Sequence, residues 1–125
     1  MLTDFREKVE RIVESDPRYK TDAYIFVMQA LWYTQKRFKR QGHVNGRELL
    51  KGIRAFGLEQ YGPMTKTVFN HWGIKSTEDF GEIVFNMVDS GLLHKTEEDS
   101  RQDFRDGFDF DSALNAFDKI GDVSL

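Results

Sequence analysis

Apolar residues recur every three or four positions along much of the chain, and this spacing restricts the fold more than any other feature. The clearest stripe consists of Phe80, Ile83, Val84, Met87 and Val88. Residues at this spacing cover one face of an α-helix, and that face must be buried against another element. The sequence therefore predicts a mainly α fold.

Residues that cap or end helices divide this pattern into five helices. Pro17 ends the first, because the residue before a proline is disfavoured in the α conformation. Asn45 and Ser76 stand where side chains accept hydrogen bonds from the first helical turn, and Gly91 follows the last apolar stripe. The predicted helices span about 3–16, 21–40, 45–61, 63–72 and 77–90.

The second predicted helix has a different pattern from the others. It is apolar nearly all round between Ala23 and Tyr33. A helix of this kind is buried on most sides. We therefore expect it to lie in the centre of the domain, and we expect Trp32 and Trp72 to belong to the core rather than to a ligand cavity.

After Gly91 the apolar spacing changes from helical to alternating. Residues 92–95 are short and strand-like, and residues 108–111 alternate Phe with Asp. We expect these two segments to form a small antiparallel hairpin, with one helical turn between them and a last short helix over 112–119. The predicted fold is thus mainly α, with five to six helices and one small β-hairpin. It is winged-helix-like in its second half.

The 125 residues suit a single domain. We expect a helical pair over 1–42, the winged-helix-like part over 43–111, and a short helix and tail over 112–125. The sequence has no cysteine, which excludes a disulfide framework and a thiolate metal site. No apolar run approaches the roughly 20 residues that span a bilayer. We expect a cytoplasmic protein with no membrane partner.

The charges are unevenly distributed, although the net charge is only −3. Between residues 76 and 90 there are four acidic side chains and no Lys or Arg: Glu78, Asp79, Glu82 and Asp89. This helix would be the DNA-reading element of a winged helix, and its carboxylates repel phosphate. Sequence-specific DNA binding is therefore disfavoured. The acidic helix and the acidic connection 96–111 are predicted to form the exposed surface for a protein partner.

A basic stretch in the middle of the chain supports an alternative function. It contains Lys36, Arg37, Lys39, Arg40, Arg47 and Lys51. With nearby aromatic residues these cations could bind a nucleic acid. Cations at the end of a helix also stabilise the helix dipole without any ligand. Both interpretations remain open from the sequence.

The remaining polar residues do not form a motif of known chemistry. The aspartates 99, 103, 106, 109 and 111 do not follow the spacing of a calcium-binding loop. The histidines His43, His71 and His94 are not spaced as a metal pair on a helix. We expect no catalytic set, no metal and no cofactor. A pocket near His43, His71 and Trp72, for a small molecule or a reaction, is a further alternative.

Three short motifs carry a resemblance that covers nearly the whole chain. They are Gly62-Pro63-Met64, His71-Trp72-Gly73 and the run from Thr77 to Gly81. With these motifs the chain resembles a small bacterial family known from Verrucomicrobia and Planctomycetes. That family has no assigned activity, so the resemblance implies no site residues. The function predicted from the sequence is a non-catalytic protein–protein interaction or adaptor module.

Overall fold

A computed structural model describes residues 2–38 and 43–114 of the chain. These residues form six α-helices: α1 Leu2–Ser15, α2 Thr21–Arg37, α3 Gly46–Tyr61, α4 Thr65–His71, α5 Thr77–Asp89 and α6 Phe110–Ala113. Two short 3-10 turns, Gly62–Met64 and Arg101–Phe104, complete the secondary structure of the described residues. The mainly α prediction is confirmed.

Helices α3 and α5 begin at the capping residues that the sequence indicates. The Asn45 side chain accepts a hydrogen bond from the Glu48 backbone N–H at 2.8 Å, and the Glu48 carboxylate accepts one from the Asn45 N–H at 3.1 Å. Ser76 and Asp79 form the same reciprocal box at the start of α5. Such boxes satisfy N–H groups that have no partner within the helix.

The predicted β-hairpin is wrong, because residues 2–38 and 43–114 contain no strand. The backbone N–H groups of Leu92 and Leu93 both donate to the Met87 carbonyl, at 2.9 and 3.3 Å. They cap the end of α5 and are not free to pair with a strand. Without a hairpin, the described residues have no wing, so the winged-helix comparison fails there.

The end of the described chain also differs from the prediction. Phe110 opens a short helix, and the Asp109 side chain caps that helix by accepting from the Ser112 N–H at 3.0 Å. The alternation of Phe and Asp therefore reflects an anchored turn rather than a strand. The rest of the helix predicted over 112–119 lies outside the described residues.

Buried apolar side chains from all six helices form one core, with α2 at its centre. Helix α2 packs against α1, α3 and α5. The Phe26 ring lies 5.3 Å from Phe69 and 5.4 Å from both Phe56 and Trp72, measured between ring centres. Trp72 is thus a core residue, as expected. None of the described helices is long and apolar enough to cross a bilayer.

Candidate binding groove

An apolar cavity of about 410 Å³ opens at one end of the helical core. Helices α2, α3 and α5 and the segment 92–104 enclose it, and we call it the groove. Its apolar lining consists of Leu31, Val44, Leu49, Val84, Phe85, Val88, Leu92, Leu93 and Phe104. Its volume lies within the range of about 300–1,000 Å³ that is usual for ligand sites.

A glycine-dependent turn places one wall of the groove. Gly91 has a φ of +78°, which residues with a side chain rarely adopt. The N–H of Gly91 donates to the Val88 carbonyl at 3.0 Å, and the N–H of Leu92 donates to the Met87 carbonyl. This is the Schellman pattern that ends many helices. It reverses the chain at the end of α5 and directs Leu92 and Leu93 into the groove.

Phe104 anchors the other end of the same wall. Phe104 is 3% exposed, and a Cβ atom added at Gly46 or Gly81 would lie only 3.0 Å from a side-chain carbon of Phe104. Thr77 donates from its hydroxyl to the Phe104 carbonyl at 2.6 Å. The two glycines therefore let the segment pack closely on α3 and α5, and the groove has a fixed floor.

A second cavity continues the groove at its polar end. The two cavities share His43, Asp99 and Asp103. The carboxylates that line them are Glu48, Glu97, Glu98, Asp99 and Asp103, which we call the acidic rim. Among the described residues that line the two cavities, the lysine and arginine side chains are those of Lys95 and Arg47.

Backbone and histidine contacts hold part of the acidic rim in place. His43 Nε2 lies 3.2 Å from the Asp99 carboxylate, and the Asp99 carboxylate also accepts from the Thr96 N–H at 2.8 Å. Glu97 and Glu98 are exposed and make no hydrogen bond or ion pair with another described residue. The negative charge that the rim offers to an occupant of the groove therefore comes mainly from Glu97 and Glu98, because Glu48 and Asp103 cap helical turns and Asp99 is bonded to His43.

The acidic surface predicted on α5 is largely engaged within the fold. Glu82 lies between two guanidinium groups, 3.3 Å from Arg18 and 3.0 Å from Arg101. Asp79 accepts a hydrogen bond from the Tyr19 hydroxyl at 2.5 Å, in addition to its capping role. The Asp79 carboxylate is therefore already used in hydrogen bonds within the fold and is not available to a partner without breaking them.

The other two predicted residues of that surface behave differently from each other. Hydrogen bonds from its own backbone N–H and from the Asp106 N–H lower the pKa of Glu78. Asp89, at the end of α5, is exposed. The structure therefore does not bring Glu78, Asp79, Glu82 and Asp89 together as one free surface.

The predicted basic patch is also divided. Lys36 and Arg37 end α2 and are exposed, whereas Lys39 and Arg40 lie outside the described residues. Lys51 is exposed on α3. Arg47 donates to the Arg105 carbonyl at 3.2 Å and lines the second cavity beside the acidic rim. Arg47 thus faces carboxylates, and this location weakens the case for a continuous cationic surface.

The proposed His43, His71 and Trp72 pocket is not assembled. His43 lines the groove, and it does so together with His94 rather than His71. His71 is exposed at the end of α4, and Trp72 is buried against Tyr61 and the core phenylalanines. Among the described residues no three His, Asp or Glu side chains are grouped to hold a metal ion.

One residue that sequence analysis assigned to the core is on the surface. The Trp32 side chain is 58% exposed, and Phe38 at the end of the same helix is 39% exposed. Lys36 is four residues after Trp32, so both lie on one face of α2. Leu31 and Gln35, which line the groove, form the neighbouring stripe of the same helix.

Comparison of the chain with protein-family models, with curated proteins and with solved structures gave no significant match. The resemblance to the bacterial family therefore stays a prediction. The geometry of the groove is the basis for assigning a function.

Proposed function

We propose that the protein is a non-catalytic interaction module that binds a segment of a polypeptide in the groove. The observation that carries the proposal is the groove itself, an apolar cavity of about 410 Å³ that opens to the surface beside a charged rim. An apolar floor with polar edges is the usual form of a site that receives one face of a peptide helix. This interpretation keeps the function predicted from the sequence. It keeps part of the predicted 96–111 surface as the rim, and it moves the rest of the site from α5 to the groove.

The site moves because Glu78, Asp79 and Glu82, three of the four carboxylates predicted on α5, already have partners within the fold. A carboxylate that caps a helix or pairs with arginine loses those interactions when a partner binds it, so little free energy is gained. When a partner covers the apolar side chains around the groove, no hydrogen bond or ion pair of theirs has to break. Each buried methylene group there contributes about 0.8 kcal/mol. The groove is therefore the better docking surface.

The nucleic-acid alternative receives less support from the geometry. Affinity for phosphates requires cations that face solvent together. Arg47 instead lines a cavity beside the acidic rim. Lys36 and Arg37 remain as exposed cations at the end of α2.

Site-specific photocross-linking in the native cell tests the proposal. A photoreactive amino acid at Lys95, an exposed residue of the groove lining, should cross-link to one defined polypeptide. The matched control is the same amino acid at Met64, which is 55% exposed and does not line the groove. We expect a discrete product from position 95 that position 64 does not give.

Two outcomes would contradict the proposal. Position 95 could yield no cross-linked polypeptide, which would favour the small-molecule alternative for the groove. Alternatively, positions 95 and 64 could yield the same set of products, which would show that the groove has no selectivity.

A further inference from the structure

We propose that the polypeptide that enters the groove is a second copy of this chain, which inserts the exposed end of its own α2. This inference rests on the proposed function, because it names the partner of the same site. It follows from two separate features of the surface: an apolar groove with an acidic rim, and an exposed tryptophan beside lysine.

The first feature is the Trp32 face, which we define as Trp32 and Lys36. Trp32 leaves more than half of its side chain in water, although α2 otherwise supplies the centre of the core. A tryptophan is among the residues that contribute most to protein interfaces when it enters a pocket. Covering this side chain would remove apolar surface from water, and that burial favours association.

The second feature is the charge of the rim. Five carboxylates and two cations line the groove and its polar extension. Of the five, Glu97 and Glu98 are exposed and are not used in a cap or hydrogen bond with another described residue. The Trp32 face carries Lys36. Arg37 follows at the next position and is exposed, and its guanidinium also donates to the Tyr33 hydroxyl at 3.0 Å. An apolar ring flanked by cations thus matches an apolar floor flanked by carboxylates. Opposite charges of this kind fix the orientation of a complex and speed its formation.

The arrangement of the two features permits a symmetric pair. Leu31 and Gln35 line the groove, and Trp32 and Lys36 are the next residues along the same helix. A donor surface and an acceptor surface side by side can be exchanged around a single two-fold axis. Each copy would then cover the Trp32 of the other, and the assembly would close as a dimer.

Sedimentation equilibrium of the full chain over a range of micromolar concentrations tests this inference. We expect a monomer–dimer equilibrium, and we expect Trp32→Ala to raise the dissociation constant about 30-fold, as for a central interface residue. Met64→Ala removes a similarly exposed apolar side chain elsewhere. It should change the constant by less than about twofold.

An exchange of charges tests which surfaces meet. Lys36→Glu should weaken the dimer several-fold, and so should Glu97→Lys combined with Glu98→Lys. The protein that carries all three changes should recover much of the affinity, because the attraction is restored with reversed signs. Recovery of this kind cannot arise from a loss of folding.

The inference is overturned if the chain is monomeric at every concentration, if Trp32→Ala and Met64→Ala behave alike, or if the triple variant shows no recovery. Cross-linking from position 95 separates this failure from that of the proposed function. A product with a different polypeptide would leave the groove as a docking site and exclude the second copy. No product at all would remove both proposals.

Discussion

At the scale of single residues, Asp16 links the end of α1 to α5. Its carboxylate accepts hydrogen bonds from Arg18 Nε at 2.8 Å and Nη2 at 2.7 Å, and from the Asn86 amide at 3.0 Å. The Arg18 guanidinium is the main reason that the pKa of Asp16 is held well below its usual range, and Asn86 adds to the effect. The charged form of Asp16 therefore stabilises the folded state.

The free energy of unfolding should depend on the ionisation of the Asp16 carboxyl group in the acidic pH range. The unfolded chain binds the proton near pH 4 and the folded chain only at much lower pH. The stabilisation is thus complete at neutral pH and is lost as the pH falls below about 4. Asp16→Asn should lower the free energy of unfolding by about 1 kcal/mol at pH 7, since the exposed Arg18 is screened by solvent.

Urea denaturation at pH 7, 5 and 3 measures this dependence. The difference in the free energy of unfolding between the native chain and Asp16→Asn should become smaller as the pH falls from 5 to 3. Asp89→Asn, at an exposed carboxylate, is the control and should have little effect at any of these values. A difference for Asp16→Asn that is constant with pH would contradict the assignment.

At the scale of elements, the contact between α2 and α3 depends on a missing side chain. A Cβ atom at Gly52 would lie 1.7 Å from the Thr34 hydroxyl oxygen. Thr34 is fully buried, and its hydroxyl donates to the Ala30 carbonyl at 2.6 Å. The threonine cannot turn away without losing this bond. Gly52 is therefore required for the close approach of the two helices.

Gly52→Ala should destabilise the protein by about 2 kcal/mol, although alanine favours a helix by about 1 kcal/mol over glycine. Thr34→Gly removes the side chain that an alanine at position 52 would meet.

The double variant should lose less free energy of unfolding than the sum of the losses of the two single variants. Lys51→Ala, at the exposed neighbour, is the control and should change stability by less than about 0.5 kcal/mol. Additive single effects in urea denaturation would contradict the steric explanation.

The elements that the sequence predicted correctly depend on local interactions. Asn45, Ser76 and Gly91 act on backbone groups within a few residues, so their sequence positions are sufficient to locate helix ends. The prediction of a hairpin was wrong because an alternating pattern of side chains does not determine which groups the backbone N–H and C=O bond to. Leu92 and Leu93 bond to α5, and Phe110 packs on Phe69 and Phe80 from the start of α6.

At the scale of the whole molecule, the groove could not be predicted from any one segment. Its lining comes from α2, the start of α3, the end of α5 and the chain between Leu92 and Phe104. The apolar residues that the helices contribute to it follow the same helical spacing as core residues. Only the packing of the complete chain decides which of them remain partly open to solvent. Trp32 was misassigned for the same reason.

The affinity of the groove for the polypeptide cross-linked at position 95 tests the central claim most directly. By our inference that polypeptide is a second copy of the chain, and sedimentation equilibrium measures the affinity of the dimer. If the polypeptide is a different one, titration calorimetry measures its affinity for the groove. Val88→Ser changes a partly buried valine of the groove, and Val68→Ser changes a partly buried valine of α4 outside it. We predict that Val88→Ser weakens binding about tenfold and that Val68→Ser leaves it nearly unchanged. Equal effects of the two substitutions, or no effect of either, would contradict the account.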